Sequence, residues 1–157
     1  MKLYITVLVI VTITGIACIE ARAQKARATT NSTAVAQQPL YTDYRGVKLG
    51  MTPAEVRAKL GDPVLKDAEL DYFVISDTVS AQVAYDAAHK VKTISVDYAG
   101  GAGAPDYRSV TGGELKTQSD GSAFAMVRYA ANGFWVSYSR TAPPMSIVTV
   151  TISKIEF

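Results

Sequence analysis

Two side-chain types that commonly act in catalysis, histidine and cysteine, occur once each in this 157-residue chain, and the two residues lie far apart in the sequence. The single histidine, His89, lies beside Lys90 in a predicted hairpin turn, and the single cysteine, Cys18, lies in an apolar N-terminal run. Acid–base and nucleophilic catalysis need several such groups in one cleft. An imidazole without a Ser-His-Asp or Cys-His arrangement indicates a surface residue. We therefore predict no catalytic residues and no enzyme activity.

Two further segments have residue types that bind cations or phosphates. Asp67, Glu69 and Asp71 cluster at the start of the first predicted strand, but they lack the ligand spacing and the glycine of a calcium-binding EF-hand. Gly100–Gly103 lacks the lysine and hydroxyl of a phosphate-binding loop. We interpret the first segment as a solvated loop and the second as a joint, and we predict no metal and no cofactor.

The first 23 residues have the order of an export signal. A basic start, Met1–Lys2, precedes the apolar run 3–19, and Ala23 ends a small-residue motif suited to cleavage. Two alternatives remain: a retained membrane anchor, which needs about 20 apolar residues, and lipidation of Cys18 in Gly15–Cys18, which resembles a degenerate lipobox. All three place the folded part outside the cytoplasm, in the periplasm, at the outer membrane or secreted, with membrane contact only through this segment.

Composition divides the rest of the chain into a linker and one domain. Residues 24–40 have no apolar period and no aromatic side chain. Such a segment buries too little surface to offset its conformational entropy, so we predict a flexible linker. The folded domain is predicted to span 41–157. The formal net charge is only +2, whereas nucleic-acid-binding proteins carry a strongly basic patch or stripe, so we predict no nucleic-acid partner.

The clearest local signal predicts a short helix at about 52–60. Thr52 and Glu55 have the spacing of a capping box, and Pro53 suits the first helical position. Gly61 and Pro63 then end the helix. A helix this short is unstable alone in water, so its apolar side must pack on another element.

Alternation of apolar and polar residues predicts the sheet on which this helix packs. Period two places one face of each strand in water and the other in the core. Asn132–Gly133 is a strong hairpin signal between two of the strands. The predicted strands are 70–76, 81–86, 90–98, 123–129, 134–140 and 146–155. We therefore predict an α+β fold, with the N-terminal helix and a helical turn near 105–110 on an antiparallel sheet of about six strands.

Two short matches suggest a degenerate tandem repeat. Residues 82–86 (QVAYD) resemble 135–139 (WVSYS) at an offset of 53, and 43–47 (DYRGV) resemble 106–110 (DYRSV) at an offset of 63. The difference of ten is about the length of the first helix. The second copy would then have lost most of its helix.

The helix segment carries a family resemblance. Residues 47–56 (VKLGMTPAEV) followed by 60–63 (LGDP) resemble the signature of the SmpA/OmlA (BamE-type) outer-membrane assembly domain. A similar element opens each repeat of the secreted β-lactamase inhibitor proteins. The resemblance implies a non-enzymatic exported protein that binds another envelope protein, with a role in outer-membrane assembly or maintenance. Its alternative implication is a secreted or periplasmic inhibitor or ligand-binding protein.

Aromatic and arginine side chains are the candidate protein contacts, because these types anchor protein interfaces. We select Trp135, Tyr44, Tyr107, Arg108 and Arg140. Trp135 shares a predicted strand face with serines, so it is either an exposed contact or packed under the linker or a helix. The tyrosine–arginine pairs of the two DYR segments have a structural alternative, in which each arginine bonds its own aspartate or a strand end.

Overall fold

One antiparallel sheet organises the domain. A computed structural model of the chain describes residues 38–156. The predicted signal peptide (1–23), Cys18 and residues 24–37 of the predicted linker lie outside this range. The elements are α1 Pro53–Leu60, β1 Leu65–Lys66, β2 Leu70–Ser76, β3 Val79–Tyr85, β4 Val91–Ala99, α2 Tyr107–Thr111, β5 Lys116–Thr117, β6 Ala123–Tyr129, a 3₁₀ turn Ala130–Asn132, β7 Phe134–Arg140 and β8 Ile147–Lys154.

The strand order divides the sheet into two halves of equal strand number. The eight strands run β1-β2-β3-β4-β8-β7-β6-β5. The first half comprises α1 and β1 to β4, and the second half comprises α2 and β5 to β8. Within each half a helix precedes a two-residue edge strand and three longer strands. The halves join at the centre, where β4 pairs with β8 from Thr93–Ser153 to Ala99–Ile147.

The predicted fold class is wrong. An α+β domain with a short N-terminal helix on about six strands does not describe this molecule, which is mainly an eight-stranded antiparallel sheet with one helix longer than seven residues. The prediction misses the edge strands β1 and β5. Each has only two residues, so neither contains a full period of alternation.

The two DYR segments have different structures. Residues 43–47 form a turn, in which Tyr44 and Val47 exchange main-chain hydrogen bonds of 3.0 and 2.8 Å. In the second segment Asp106 caps α2 and accepts from the amide of Arg108 at 2.9 Å. Their sequence match at an offset of 63 therefore does not relate equivalent positions. Helix α2 lies where the sequence predicted a helical turn near 105–110.

Helix α1 begins and ends as its sequence predicts. The Thr52 hydroxyl accepts from the amide of Glu55 at 3.3 Å, and the Glu55 carboxylate accepts from the amide of Thr52 at 2.7 Å. The Gly61 amide donates to the carbonyl of Arg57 at 2.9 Å and closes the last turn. Val56 is fully buried, so α1 packs on the sheet through this side chain. Within residues 38–156, neither helix has the length and apolarity to cross a membrane.

The core lies between one face of the sheet and the helices and loops that cover it. Alternate residues of all six long strands point into it, as period two requires. Burial of this apolar surface is the main stabilising contribution to the fold. The largest fully buried side chains are Tyr85, Phe73, Ile94, Ile152, Val47, Val56, Val83, Val91, Val96, Val110, Val136 and Val150.

Candidate functional site

The sheet face opposite the core carries a band of hydroxyl groups at its centre. We call this the open face. Three cross-strand pairs there bond side chain to side chain, and their members are all partly exposed. The pairs are Thr93 with Ser153 at 2.8 Å, Ser95 with Thr151 at 3.0 Å, and the Thr149 hydroxyl donating to Asp97 at 2.6 Å. These side chains bond one another across the strands, so the centre of the open face is polar and its hydroxyl groups are internally bonded.

Apolar side chains flank the hydroxyl band on the second half. Phe124 and Met126 alternate with the buried alanines of β6 and are 47% and 54% exposed. On β7, Trp135 points to the same face, because it pairs directly with Arg128 and Ser153. Trp135 itself is partly exposed. An aromatic side chain beside exposed apolar groups has the composition of a protein-contact patch.

The first half carries a second apolar flank on the same face. Val74 is 58% exposed and Leu65 is 55% exposed. Leu65 pairs with Tyr72, and Tyr72 alternates with the buried Asp71 and Phe73, so Leu65, Tyr72 and Val74 share the open face. The open face therefore presents apolar groups at both lateral ends and hydroxyls between them.

Only one of the five predicted contact residues lies on the open face. Trp135 lies there, as its alternation with serines predicts. Arg140 belongs to the core-side set of β7 and donates to the carbonyl of Gly121 at 3.4 Å. Tyr107 packs edge-on against Tyr138, a core residue, at 6.2 Å between ring centroids. The structure therefore does not bring the five residues into one surface.

Tyr44 and the arginines of the two DYR segments, Arg45 and Arg108, pack within the domain. Tyr44 is only 7% exposed, so its prediction as a surface contact is corrected to a core residue. Arg45 lies 5.7 Å from the centroid of the Tyr44 ring, and Arg108 lies 4.6 Å from that of Tyr107. Each arginine thus covers its neighbouring ring, whereas the structural alternative considered from the sequence was a bond from each arginine to its own aspartate or to a strand end.

A buried ion pair ties α1 to the sheet. Asp71 is fully buried and accepts three hydrogen bonds: 2.9 Å from Arg57 Nε, 2.8 Å from Arg57 Nη2 and 2.7 Å from the Tyr85 hydroxyl. Burial, and then the bond to Asp71, raise the pKa of Tyr85. The hydrogen bond to Asp71 raises the pKa of Arg57. The interpretation of Asp71 as part of a solvated loop is wrong, since it lies in β2 with its side chain among core residues.

The residues considered for catalysis or metal binding remain separate. His89 is exposed in the β3–β4 turn, where its φ is 54°. Asp67 bonds the amides of Glu69 and Leu70 at 2.7 and 2.6 Å, which is a turn contact. Across residues 38–156, no group of three or more histidine, cysteine, aspartate or glutamate side chains is placed to hold a metal ion.

Sequence reasoning missed Phe124, Met126 and the bonds of Asp71 for different reasons. Phe124 and Met126 had a usable signal, because they alternate with Ala123 and Ala125 in a predicted strand. Asp71 had none, because its partners lie 14 residues away on either side and meet it only in the folded sheet.

Comparison of the chain with protein families, with curated proteins and with solved structures gave no match. The open face is therefore the candidate site on its geometry alone.

Proposed function

We propose that this protein is a non-enzymatic, exported envelope protein whose domain binds another protein through the open face. The observation that carries the proposal is the apolar patch of Phe124, Met126 and Trp135 beside the hydroxyl band. Interfaces typically combine a few buried aromatic or apolar anchors with surrounding polar contacts that exclude water. The open face offers both kinds of group on strands of one continuous sheet.

The hydroxyl band supports a role in contact. Thr93 and Ser95 bond their partners on β8, so little side-chain freedom remains to be lost when a partner docks. A preorganised surface of this kind keeps more of its contact energy as affinity. The central strands therefore act as a stiff platform between the two apolar flanks.

The envelope location is proposed from the N-terminal segment and from the resemblance of residues 47–63. An export signal at 1–23 would deliver the domain to the periplasm, and Cys18 would anchor it if lipidated. The resemblance to SmpA/OmlA domains supports a role in outer-membrane assembly or maintenance. The partner is then another envelope protein.

Site-specific crosslinking in the full chain tests the contact surface. We would place a photoreactive p-benzoylphenylalanine at Met126 and, as a matched control, at Met145, which is 72% exposed but lies outside the strands. We expect a discrete crosslinked partner from position 126 and none from position 145. The same product from both positions, or from neither, contradicts the proposal.

Loss of the indole should then weaken binding to the partner so identified. We expect Trp135→Ala to raise the Kd about 30-fold, since aromatic anchors at interface centres contribute 2 kcal/mol or more, roughly this factor. Met145→Ala is the control and should leave the Kd unchanged. An unchanged Kd for Trp135→Ala would remove the indole from the contact surface.

Location is tested separately with a palmitate analogue. Labelling of the wild type that disappears in Cys18→Ser supports a lipid-anchored envelope factor. Cleavage after Ala23 without label supports a free periplasmic or secreted protein. Recovery of the chain only from the cytoplasm contradicts export.

The alternative function, a secreted or periplasmic inhibitor, is favoured by one observation. The two halves, each a helix followed by four strands, share one continuous open face across the β4–β8 junction. A continuous face of this width can cover a large area of a partner, as an inhibitor must when it covers an enzyme active site. A crosslinked partner that is an enzyme, and loses activity on binding, would support this alternative over an assembly role.

A further inference from the structure

The outer edge of the second half is largely unpaired. Strand β6 spans seven residues, but β5 pairs with it only at Ala123 and Phe124. No other strand of residues 38–156 lies beyond β6. Unpaired strand edges are templates for another strand, and natural proteins usually block them.

The direction of the free main-chain groups follows from one bond. The amide of Gln118 donates to the carbonyl of Ser122 at 2.8 Å, so Ser122 points its main-chain groups toward β5. Main-chain direction alternates along a strand. Met126 and Arg128 therefore point their N–H and C=O groups outward, past the end of β5, whereas Ala125 and Val127 point theirs toward β7.

A groove runs along this free edge. Its volume is about 370 Å³. One wall is the consecutive stretch 124–127 of β6, and the other wall is formed by Thr111, Gly113, Glu114 and Lys116. Adjacent strands lie about 4.8 Å apart. The groove lies where the chain leading into β5 diverges from β6, so it is open at the position of an added strand.

The opposite edge of the sheet is better blocked. Beyond the β1–β2 pairs, the amide of Val64 donates to the carbonyl of Tyr72 at 2.9 Å, and the amide of Asp67 donates to the carbonyl of Leu70 at 3.0 Å. A register shift between Val74 and Ser76 distorts the rest of β2. Such irregularities are a common protection of edges. The register of β6 on β7 is regular throughout, so this protection is missing from the second half.

Charge at the groove selects the kind of strand. Lys116 and Arg128 are exposed, and neither forms a salt bridge with any residue in 38–156. The groove wall also contains one exposed carboxylate, Glu114, so the two cations leave a net positive charge of one. Both share the open face with Phe124 and Met126, because Lys116 pairs with Phe124 and Arg128 alternates with Val127. A strand added beside β6 places every second side chain on that face, between these two cations, where acidic side chains are favoured.

We infer that the free edge of β6 binds an extended peptide segment of a partner by strand addition, with acidic side chains toward Lys116 and Arg128 and apolar side chains on the opposite side. Main-chain bonds to Met126 and Arg128 contribute the affinity, and the two cations make the site prefer acidic peptide segments. This site adjoins the open-face patch and shares Met126 with it, but it uses the main chain of β6, whereas the open-face contact uses side chains. Trp135→Ala tests only the open-face contact, and Met126→Pro compared with Met126→Ala tests only the main-chain bonds. Each contact can exist without the other.

The test uses labelled peptides and a pair of variants at one position. The probes are fluorescein-labelled, capped peptides of four Val-Glu repeats and four Val-Lys repeats, titrated with the purified mature protein and followed by anisotropy. Met126→Pro removes an outward N–H and no bond to β7, and proline is tolerated at strand edges. Met126→Ala is the matched control, since it shortens the same side chain and keeps the N–H.

We expect saturable binding of the Val-Glu peptide and at least about fivefold weaker binding of the Val-Lys peptide. Met126→Pro should weaken binding of the Val-Glu peptide about tenfold relative to Met126→Ala, in line with loss of one main-chain bond. Arg128→Glu should reverse the preference between the peptides. If Met126→Pro does not fold, N-methylation of the glutamates and, separately, of the valines of the peptide makes the same test on the wild-type protein, because methylation should weaken binding only in the set whose N–H groups face β6.

Three results would overturn the inference. They are absence of binding by either peptide at millimolar concentration, equal binding by the proline and alanine variants, and insensitivity to N-methylation. Sedimentation of the wild type as a dimer that Met126→Pro converts to a monomer, without peptide binding, would assign the edge to a second copy of this chain instead.

Discussion

The two halves of the sheet hold their helices in different ways. In the first half, α1 carries the buried Val56 followed by Arg57, and the residue fifteen positions after Val56 is Asp71, which binds that arginine. In the second half, the buried Val110 is followed by Thr111, and the residue fifteen positions on is Ala125. The ion pair of the first half thus has no counterpart in the second.

The difference shows what each half requires from its helix. Thr111 is buried, and its hydroxyl donates to the carbonyl of Tyr107 at 2.9 Å. Its hydrogen bond therefore lies within α2 and does not reach the sheet. Helix α2 is held by apolar burial and by the edge-on contact of Tyr107 with Tyr138. Hydrogen bonds of fixed direction hold the helix of the first half. Apolar packing, which fixes a helix position less strictly, holds the helix of the second half near the free edge of β6.

The largest expected effect is the loss of the ion pair. Asp71→Ala leaves the 22% exposed Arg57 side chain without its partner. We expect the free energy of unfolding to fall by about 3 kcal/mol, the low end of the range for breaking a buried pair. Urea denaturation measures this loss, with Glu114→Ala as the exposed-carboxylate control. A loss below about 1 kcal/mol would mean that packing alone fixes α1.

The next largest effect should be a difference in stability between variants of two buried tyrosines, Tyr85 in the first half and Tyr129 in the second. Tyr85→Phe removes a bond to a charged carboxylate, and we expect a loss of about 1.5–2 kcal/mol. Tyr129 is 4% exposed and its hydroxyl has no hydrogen-bond partner among residues 38–156. Tyr129→Phe should therefore cost no stability, or increase it. Equal losses for both variants in urea denaturation would refute this contrast between the halves.

The smallest effect should be the pH dependence of the helix cap. The hydrogen bond from the Thr52 amide lowers the pKa of Glu55 below its ordinary value. A lowered folded-state pKa stabilises the fold above the ordinary pKa of about 4.3, and this contribution is lost as pH falls through the lowered value. Glu55→Ala should thus lower the Tm at pH 7 and converge with the wild type in acid. A Tm difference that is the same at both pH values would contradict this origin.

The sequence predicts local elements of this protein better than their assembly. Alternation locates 70–76, 123–129 and 134–140 at the bounds observed for β2, β6 and β7, because burial of one face imposes it along the whole strand. The order of strands depends on β4 pairing with β8, and the sequence between them contains no hairpin signal that joins these two. Long-range pairing of this kind leaves no local pattern.

The candidate site shows the same limit. The face of Trp135 follows from local alternation, whereas the burial of Tyr44 depends on a turn folding back over the core. Asp71 reads locally as one of three surface carboxylates, and only the arrival of α1 and β3 makes it a buried acceptor. Residue type and spacing therefore indicate which side chains can make contacts, and tertiary structure decides which remain available.

The central position of β8 affects how this chain matures during synthesis. Of the eight strands it is made last, yet it lies between β4 and β7. The first half can emerge from a ribosome with its helix docked, but the inner edge of β4 stays uncovered until residue 154 has followed. The sheet can therefore close only after the last strand has been synthesised.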